Sequence, residues 1–293
     1  MDRDRLFIAL QYLLPQHCLS RLVGKLACCP WSMCRTPLIR WFARHYQVNM
    51  DEAARPRLED YASFNDFFTR ALSAGARPMA AAPDHLACPA DGVISQFGEV
   101  EEGRIFQAKG LTYDVRELLA NDVLAKSFRH GQFATVYLSP KDYHRVHMPL
   151  DGTLTEMLYV PGRLFSVNAI TAEHVPRLFA RNERVVAGFD TPYGKMALVL
   201  VGAMIVASIE MAWAGQVAPG SGQIQHTRYP TSEAVALCKG EEMGRFKLGS
   251  TVVMLSANPE LQWQHHMANG ARVQMGQTLA TFSASYPDVA RPR

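Results

Sequence analysis

Met196-Ala197-Leu198-Val199-Leu200-Val201-Gly202-Ala203-Met204-Ile205-Val206-Ala207-Ser208-Ile209 is the longest apolar run of the chain, and Glu210 ends it. The reading of this stretch decides the fold. A membrane-spanning helix needs about 20 consecutive apolar residues, and this run is shorter and interrupted by Gly202. Its content of Val, Ile and Ala predicts buried strand instead. Shorter apolar runs on both sides agree: Gly92-Val93-Ile94, Ala134-Thr135-Val136-Tyr137-Leu138, Val185-Val186-Ala187-Gly188-Phe189 and Thr251-Val252-Val253-Met254-Leu255, each bounded by turn residues. From about residue 86 onward this texture predicts a β-rich, mostly antiparallel body. Asn269-Gly270 is a hairpin turn signal, and the Gly-, Pro- and Ser-rich stretch 215–232 reads as a long loop.

Upstream the period changes from two to that of a helix. Leu6, Phe7, Leu10, Leu13 and Leu14 recur at helical spacing, and Pro15 opens a second segment carrying Leu19, Leu22, Val23 and Leu26. A third helix is predicted from Thr36, with Pro37 in the first helical position. A fourth is predicted over 63–71, where Ser63 and Asp66 make a capping box. The fold class is therefore α+β, with N-terminal amphipathic helices followed by the β-rich body.

The chain has 293 residues and a net charge of +3, too small to imply a nucleic-acid partner. Residues 1–50 contain seven Lys/Arg against two Asp, a local charge of +5, so the remainder carries −2. Basic amphipathic helices bearing Trp31 and Trp41 either lie in a bilayer interface or pack on the protein's own core; pattern alone leaves both open. No signal peptide is evident, which predicts a cytoplasmic protein with at most peripheral membrane contact. Of the six cysteines, Cys28, Cys29 and Cys34 lack the paired spacing of a zinc site. Reduced thiols are the reading.

The segment Gly244-Arg245-Phe246-Lys247-Leu248-Gly249-Ser250-Thr251 has the two-glycine spacing of a phosphate loop, but Ser250 stands where the phosphate-binding lysine is needed. Gly249-Ser250 reads better as a strained junction. Glycine lets a hydroxyl approach its carbonyl, so Ser250 Oγ can attack it, shift the acyl group from nitrogen to oxygen and leave by β-elimination. Dehydroalanine then hydrolyses to a pyruvoyl group and ammonia. Such chemistry needs a base and a group to orient it. His144 and His147 lie in a polar cluster, 139–149, directly after an apolar run, as catalytic loops commonly do. No third ligand accompanies them, so acid–base work is favoured over a metal. Asp91, ahead of Gly92, is either an orienting acid or a turn residue.

Several segments taken together resemble bacterial phosphatidylserine decarboxylases. These are Phe67-Phe68-Thr69-Arg70, Gly75-Ala76-Arg77-Pro78, Pro89-Ala90-Asp91-Gly92, the stretch from Tyr143 to Pro149, Leu164-Phe165-Ser166-Val167-Asn168, Asn182-Glu183-Arg184-Val185, 240–246 and Lys247-Leu248-Gly249-Ser250-Thr251. The likeness runs from about residue 60 to about 283. It implies a self-cleaving proenzyme in which Asp91, His147 and Ser250 form the cleavage triad, Asp91 orienting the histidine that deprotonates Ser250. Cleavage would give a β chain, 1–249, and an α chain, 250–293, that begins with a covalent pyruvoyl group. Phosphatidylserine would form a Schiff base with it, lose CO2 into that electron sink and leave as phosphatidylethanolamine. His144 is implied in the decarboxylation, and Ser166 and Asn168 in substrate binding.

A lipid substrate tips the basic N-terminal segment toward the interface. The expected organisation is then a membrane-associating segment, 1–58, and a catalytic domain, 59–293, on the cytoplasmic side of the cell membrane. A dimer of cleaved heterodimers is also implied. Three rivals remain. An N-terminal-nucleophile hydrolase would keep the amine that a pyruvoyl enzyme destroys. A lipoyl-like module lacks a lysine at the Asn269-Gly270 turn. A pyridoxal enzyme finds no distinct context at Lys195 or Lys247. None of them accounts for the histidine pair and Ser250 together.

Overall fold

The computed structural model describes residues 3–204, 208–247 and 250–283, with the backbone alone at 3 and 250. Its centre is a nine-stranded, fully antiparallel sheet. Along the main path the strand order is Gln225–Arg228, Gly152–Val160, Arg184–Thr191, Gly194–Val201, Ser250–Ser256, Gln132–Leu138, Gly92–Glu99 and Arg272–Val273; Val235–Leu237 also pairs with Gly152–Val160. All four of the short apolar runs lie in this sheet, as does the first half of the run that opened the sequence reading.

That run is continuous because its strand is covered on both faces. Ala197, Val199 and Val201 join one core, together with residues of the helices. Met196, Leu198 and Leu200 join a second core on the opposite face. The second core is roofed by smaller sheets, one of them ordered Gly215–Ala218, Ser208–Met211, Glu242–Lys247, Arg145–His147. The apolar run therefore passes from one layer to the next: its first strand ends at Val201, and its last residues, Ser208 and Ile209, begin a strand of the roof.

The N-terminal helices α1 (Arg3–Leu13), α2 (Gln16–Ala27) and α3 (Ser32–His45) lie on the first core. Ile39, Phe42 and Ala43 of α3 are buried there. Two buried glutamines tie the helices to the body: Gln11 Oε1 accepts from the Ser166 N–H at 2.7 Å, and Gln16 Oε1 from the Leu164 N–H at 2.8 Å. The short helix α4 (Phe64–Phe68) starts where the capping pattern places it, with Ser63 Oγ accepting from Asp66 N–H. It ends three residues early, at Thr69, whose hydroxyl turns back to the Asn65 carbonyl.

Three local expectations are corrected. Helix α3 begins at Ser32, four residues before Thr36, because the Trp31 carbonyl accepts the N–H groups of Cys34 and Arg35. Pro37 is then inside the helix, and the Met33 carbonyl facing it lies in an exposed turn that water can satisfy. Asn269-Gly270 makes a turn, with Gly270 at φ +86°, but its flanks do not pair with each other; Arg272–Val273 joins Gly92–Val93 instead. The 215–232 stretch contains two strands, Gly215–Ala218 and Gln225–Arg228, because sheet edges beside it leave backbone groups to pair.

Candidate active site

Strand Gln132–Leu138 delivers the polar cluster. Its last residue is followed by a turn closed by Asp142, whose carboxylate accepts from Ser139 N–H at 2.8 Å and Ser139 Oγ–H at 2.6 Å. The chain then rises into Arg145–His147, which pairs with Glu242–Lys247 so that Glu242 stands opposite His147. Ser250, the first residue of the central strand, pairs with Leu138, the residue before this turn. Only 248 and 249 separate the roof strand Glu242–Lys247 from the central strand Ser250–Ser256. Gly249, half of the expected cleavage site, lies outside the described residues, as does the side chain of Ser250.

His147 is 8 % exposed. Its backbone N–H donates to the Pro89 carbonyl at 2.8 Å, which draws it alongside the segment carrying Asp91. Its Nδ1 meets the Gly240 carbonyl at 2.8 Å, and its Nε2 meets the Tyr143 hydroxyl at 2.9 Å. Burial pushes its pKa below the usual value; Asp91 and Glu242 pull it back up and Arg145 opposes them. The ring is therefore neutral at neutral pH and available as a base.

His144 is fully buried, with its ring centroid 4.0 Å from that of Phe68. Its Nδ1–H donates to the Asp142 carbonyl at 2.8 Å, while Nε2 has no hydrogen-bond partner among the described residues. Burial, helped by the charge of Arg70, pushes its pKa down to about 3. A neutral imidazole with a free nitrogen in a dry site can take or give one proton at that atom.

Asp91 sits at the entry to strand Gly92–Glu99. Gly92 follows because a Cβ there would stand 2.3 Å from the Tyr137 carbonyl oxygen of the neighbouring strand. The Asp91 carboxylate is clamped by Arg77, through Nε at 3.0 and 3.1 Å and Nη2 at 2.6 Å, and accepts from Met275 N–H at 2.8 Å. Arg77 also reaches Glu52 at 2.5 Å. Among the described contacts Asp91 makes no hydrogen bond to His147 and acts on it through space. The structure thus brings Asp91, His147, His144 and the start of the Ser250 strand into one region.

A cavity of about 450 Å³ opens beside these groups, lined by Glu52, Arg70, Arg77, Asp91, Tyr143 and Arg272 among others. Arg70 is 97 % buried, since 3 % is exposed, and burial lowers its proton affinity. Its Nη2 donates to the Lys141 carbonyl at 3.0 Å, whereas Nε and Nη1 lack partners. Ser166 and Asn168 are half-buried: the Ser166 N–H is held by Gln11, and Asn168 Oδ1 caps the helix Ala169–His174 by accepting from Thr171 N–H. Their neighbours Val167 and Ala169 line a second cavity together with Val93 and Tyr137. Among the described residues no group of three or more His, Cys, Asp or Glu side chains is placed to hold a metal ion.

Sequence reasoning gave no role to Arg77, Tyr143 or Gly240. All three lie inside quoted motifs. The signal for Arg77 was the need of a buried carboxylate for a counter-ion, and for Tyr143 its position four residues before His147.

Comparison with known proteins identifies the family. A family profile described as "Phosphatidylserine decarboxylase" matches residues 64–281, and a second, described as "PSD", matches residues 6–47. The chain is 58 % identical over 280 residues to a protein of Ectopseudomonas mendocina, covering 94 % of this chain and 98 % of that protein. It is 57 % identical over 280 residues to one of Pseudomonas fluorescens, covering 94 % and 97 %. It is 58 % identical over 281 residues to one of Pseudomonas aeruginosa, covering 95 % and 97 %. All three relatives are named phosphatidylserine decarboxylase proenzyme.

Proposed function

The chain belongs to the phosphatidylserine decarboxylase family, and from that premise we propose that it is a proenzyme that cuts itself between Gly249 and Ser250 and then decarboxylates phosphatidylserine to phosphatidylethanolamine. The observation that carries this reading is the near full-length likeness to relatives named as proenzymes, over a chain whose Ser250 opens the central strand beside two buried, neutral histidines.

In the first reaction the Tyr143 hydroxyl, which holds Nε2 of His147 in the resting site, turns away. Nε2 takes the proton of Ser250 Oγ as the oxygen attacks the Gly249 carbonyl, and His147 hands that proton to the departing nitrogen. The backbone nitrogen of residue 250 leaves that carbonyl, so an ester replaces the peptide bond. Elimination releases the Gly249 carboxylate, and hydrolysis releases ammonia. The charges of Asp91 and Glu242 favour the imidazolium that forms on His147. A pyruvoyl group at residue 250 supplies a carbonyl for the substrate amine and a sink for the electrons released with CO2. The site fits such a group: Nε2 of His144 is a buried proton acceptor without a partner among the described residues, and its role is to bind the carboxylate side of the substrate or return a proton to the product carbon. Ser166 and Asn168 would contact the substrate from the segment that lines the neighbouring cavity with Val93 and Tyr137.

Segment 1–58 docks the enzyme on anionic lipid, and 59–293 does the chemistry. Eleven of the fourteen large apolar side chains exposed among the described residues lie between Leu6 and Trp41. Arg21, Lys25, Arg40 and Arg44 stand among them, the combination that suits a charged interface. No helix of the described residues is long and apolar enough to cross a membrane. The cleaved β and α chains form a heterodimer, and two of these pair.

An intact mass spectrum of the purified protein tests the reading. A fragment starting at residue 250 and lighter by one ammonia than its serine-started counterpart is expected. The full serine mass would point to an N-terminal-nucleophile hydrolase. An active, uncut chain of 32.6 kDa would overturn the proposal.

A further inference from the structure

We propose that Tyr143 is a positioning residue of the self-cleavage, its hydroxyl and the Gly240 carbonyl together holding His147 as an oriented, neutral base. This rests on the reading of His147 given above and adds a residue to it.

The two ring nitrogens of His147 face different partners. A carbonyl oxygen can only accept, so Nδ1, 2.8 Å from the Gly240 oxygen, carries the proton. In the neutral ring Nε2 then holds a lone pair, and the Tyr143 hydroxyl at 2.9 Å must donate to it. The phenol and imidazole also stack, with ring centroids 5.6 Å apart at 29°. The tautomer, the ring plane and the direction of the lone pair are thus set by two groups, neither of them a carboxylate.

Both groups are themselves fixed. Gly240 adopts φ +87°, a left-handed conformation that glycine takes without strain. Its N–H donates to the Met148 carbonyl at 2.8 Å, which pins it to the residue after His147. Tyr143 is 5 % exposed, and burial raises its pKa, so the phenol stays protonated and remains a donor. It also lines the cavity, so that it reaches from that space to His147.

The charged groups around His147 cannot take over this task. Glu242, from the opposing roof strand, is bound to Arg145 at 2.8 Å. Asp91, from the sheet entry, is bound to Arg77 at 2.6 Å and to Met275 N–H. Their fields act on the proton affinity of His147, and Arg145 acts against them, but none of the three orients the ring.

The sign of the effect follows. The hydroxyl stabilises the neutral ring and so opposes protonation; without it His147 binds a proton at higher pH. Cleavage, which needs the neutral base, should then reach half its maximum at higher pH. The full-length chain is made by cell-free synthesis and its scission followed by gel and mass across roughly pH 5 to 9. Tyr143→Phe should move the midpoint up by about half to one pH unit and slow cleavage ~3–10-fold. Fluorotyrosine at 143, a stronger donor, should move the midpoint below that of the wild type. Unfolding midpoints in a Ser250→Ala background confirm that each variant folds.

Midpoints ordered Phe above Tyr above fluorotyrosine support the assignment, because a purely structural role would not produce that order. Identical midpoints in folded variants, with wild type cleaving, overturn this inference and leave the proposed function standing. A wild-type chain that never cleaves overturns both.

Discussion

Replacing Arg77 by Met removes the counter-ion of Asp91 without removing its volume. In the structure three contacts of 3.0, 3.1 and 2.6 Å join the pair, and the two side chains are 7 % and 9 % exposed. Deleting one partner of so buried a pair strands the other charge and costs about 3–5 kcal/mol. Only the Met275 N–H remains to hold Asp91. Glu52, the second partner of Arg77, is 32 % exposed and recovers water when released, so it adds little. Asp91→Asn should cost about 2–3 kcal/mol, because Arg77 keeps Glu52 and a neutral acceptor. The double variant strands no charge, so the two losses should overlap by about 2–3 kcal/mol. All four proteins are best compared in a Ser250→Ala background, where each stays a single chain, by urea unfolding at neutral pH. A loss below about 1 kcal/mol for Arg77→Met, or simple additivity, would refute the assignment of Arg77 as the buried counter-ion.

Further expectations concern the reaction and the assembly. Ser250→Ala should abolish scission and decarboxylation together; His147→Ala should block scission, whereas His144→Ala should cleave yet form no phosphatidylethanolamine, and an uncut His144→Ala chain would sink that division. The pKa of His144 is lowered from 6.5 to about 3, so the unfolded chain binds its proton first as pH falls. Its contribution to stability is present above pH 6.5 and drains away toward pH 3, at ~1.4 kcal/mol per pH unit. His144→Leu should therefore shrink the stability lost between about pH 6 and pH 4.5 by about 2 kcal/mol, measured by urea midpoints. Exchanging Trp31 and Trp41 for Ser should weaken co-sedimentation with anionic vesicles several-fold and spare cleavage; unchanged sedimentation would return these helices to a packing role. The two fragments should co-elute in gel filtration and part only in denaturant.

The sheet was legible because a strand buried on both faces must be apolar without alternation, as Leu198, Val199 and Leu200 are. The helices were legible from their period, although the start of α3 was not, since Pro37 invites an N-terminal placement that the Trp31 carbonyl overrides. The strands within 215–232 were hidden because Gln225–Arg228 is exposed along its whole length and owes its pairing to a neighbour's edge. For the site, motif order pointed to Asp91, His144, His147 and Ser250. It gave no sign that Asp91 would turn to Arg77, since a counter-ion 14 residues upstream leaves no local pattern. Nor does a backbone carbonyl such as that of Gly240 announce itself in any side-chain alphabet.

The strand that begins at Ser250 is flanked by partners on both sides, seven register pairs with Gln132–Leu138 and six with Gly194–Val201. In the proposed maturation the break falls at the head of this strand. The new terminus then has no arm to swing, because its second residue, Thr251, is already paired to Tyr137 and Val201. The reactive group would inherit the stiffness of a strand held on both sides. What a bound coenzyme must achieve by docking, this chain would achieve by having folded before it was cut.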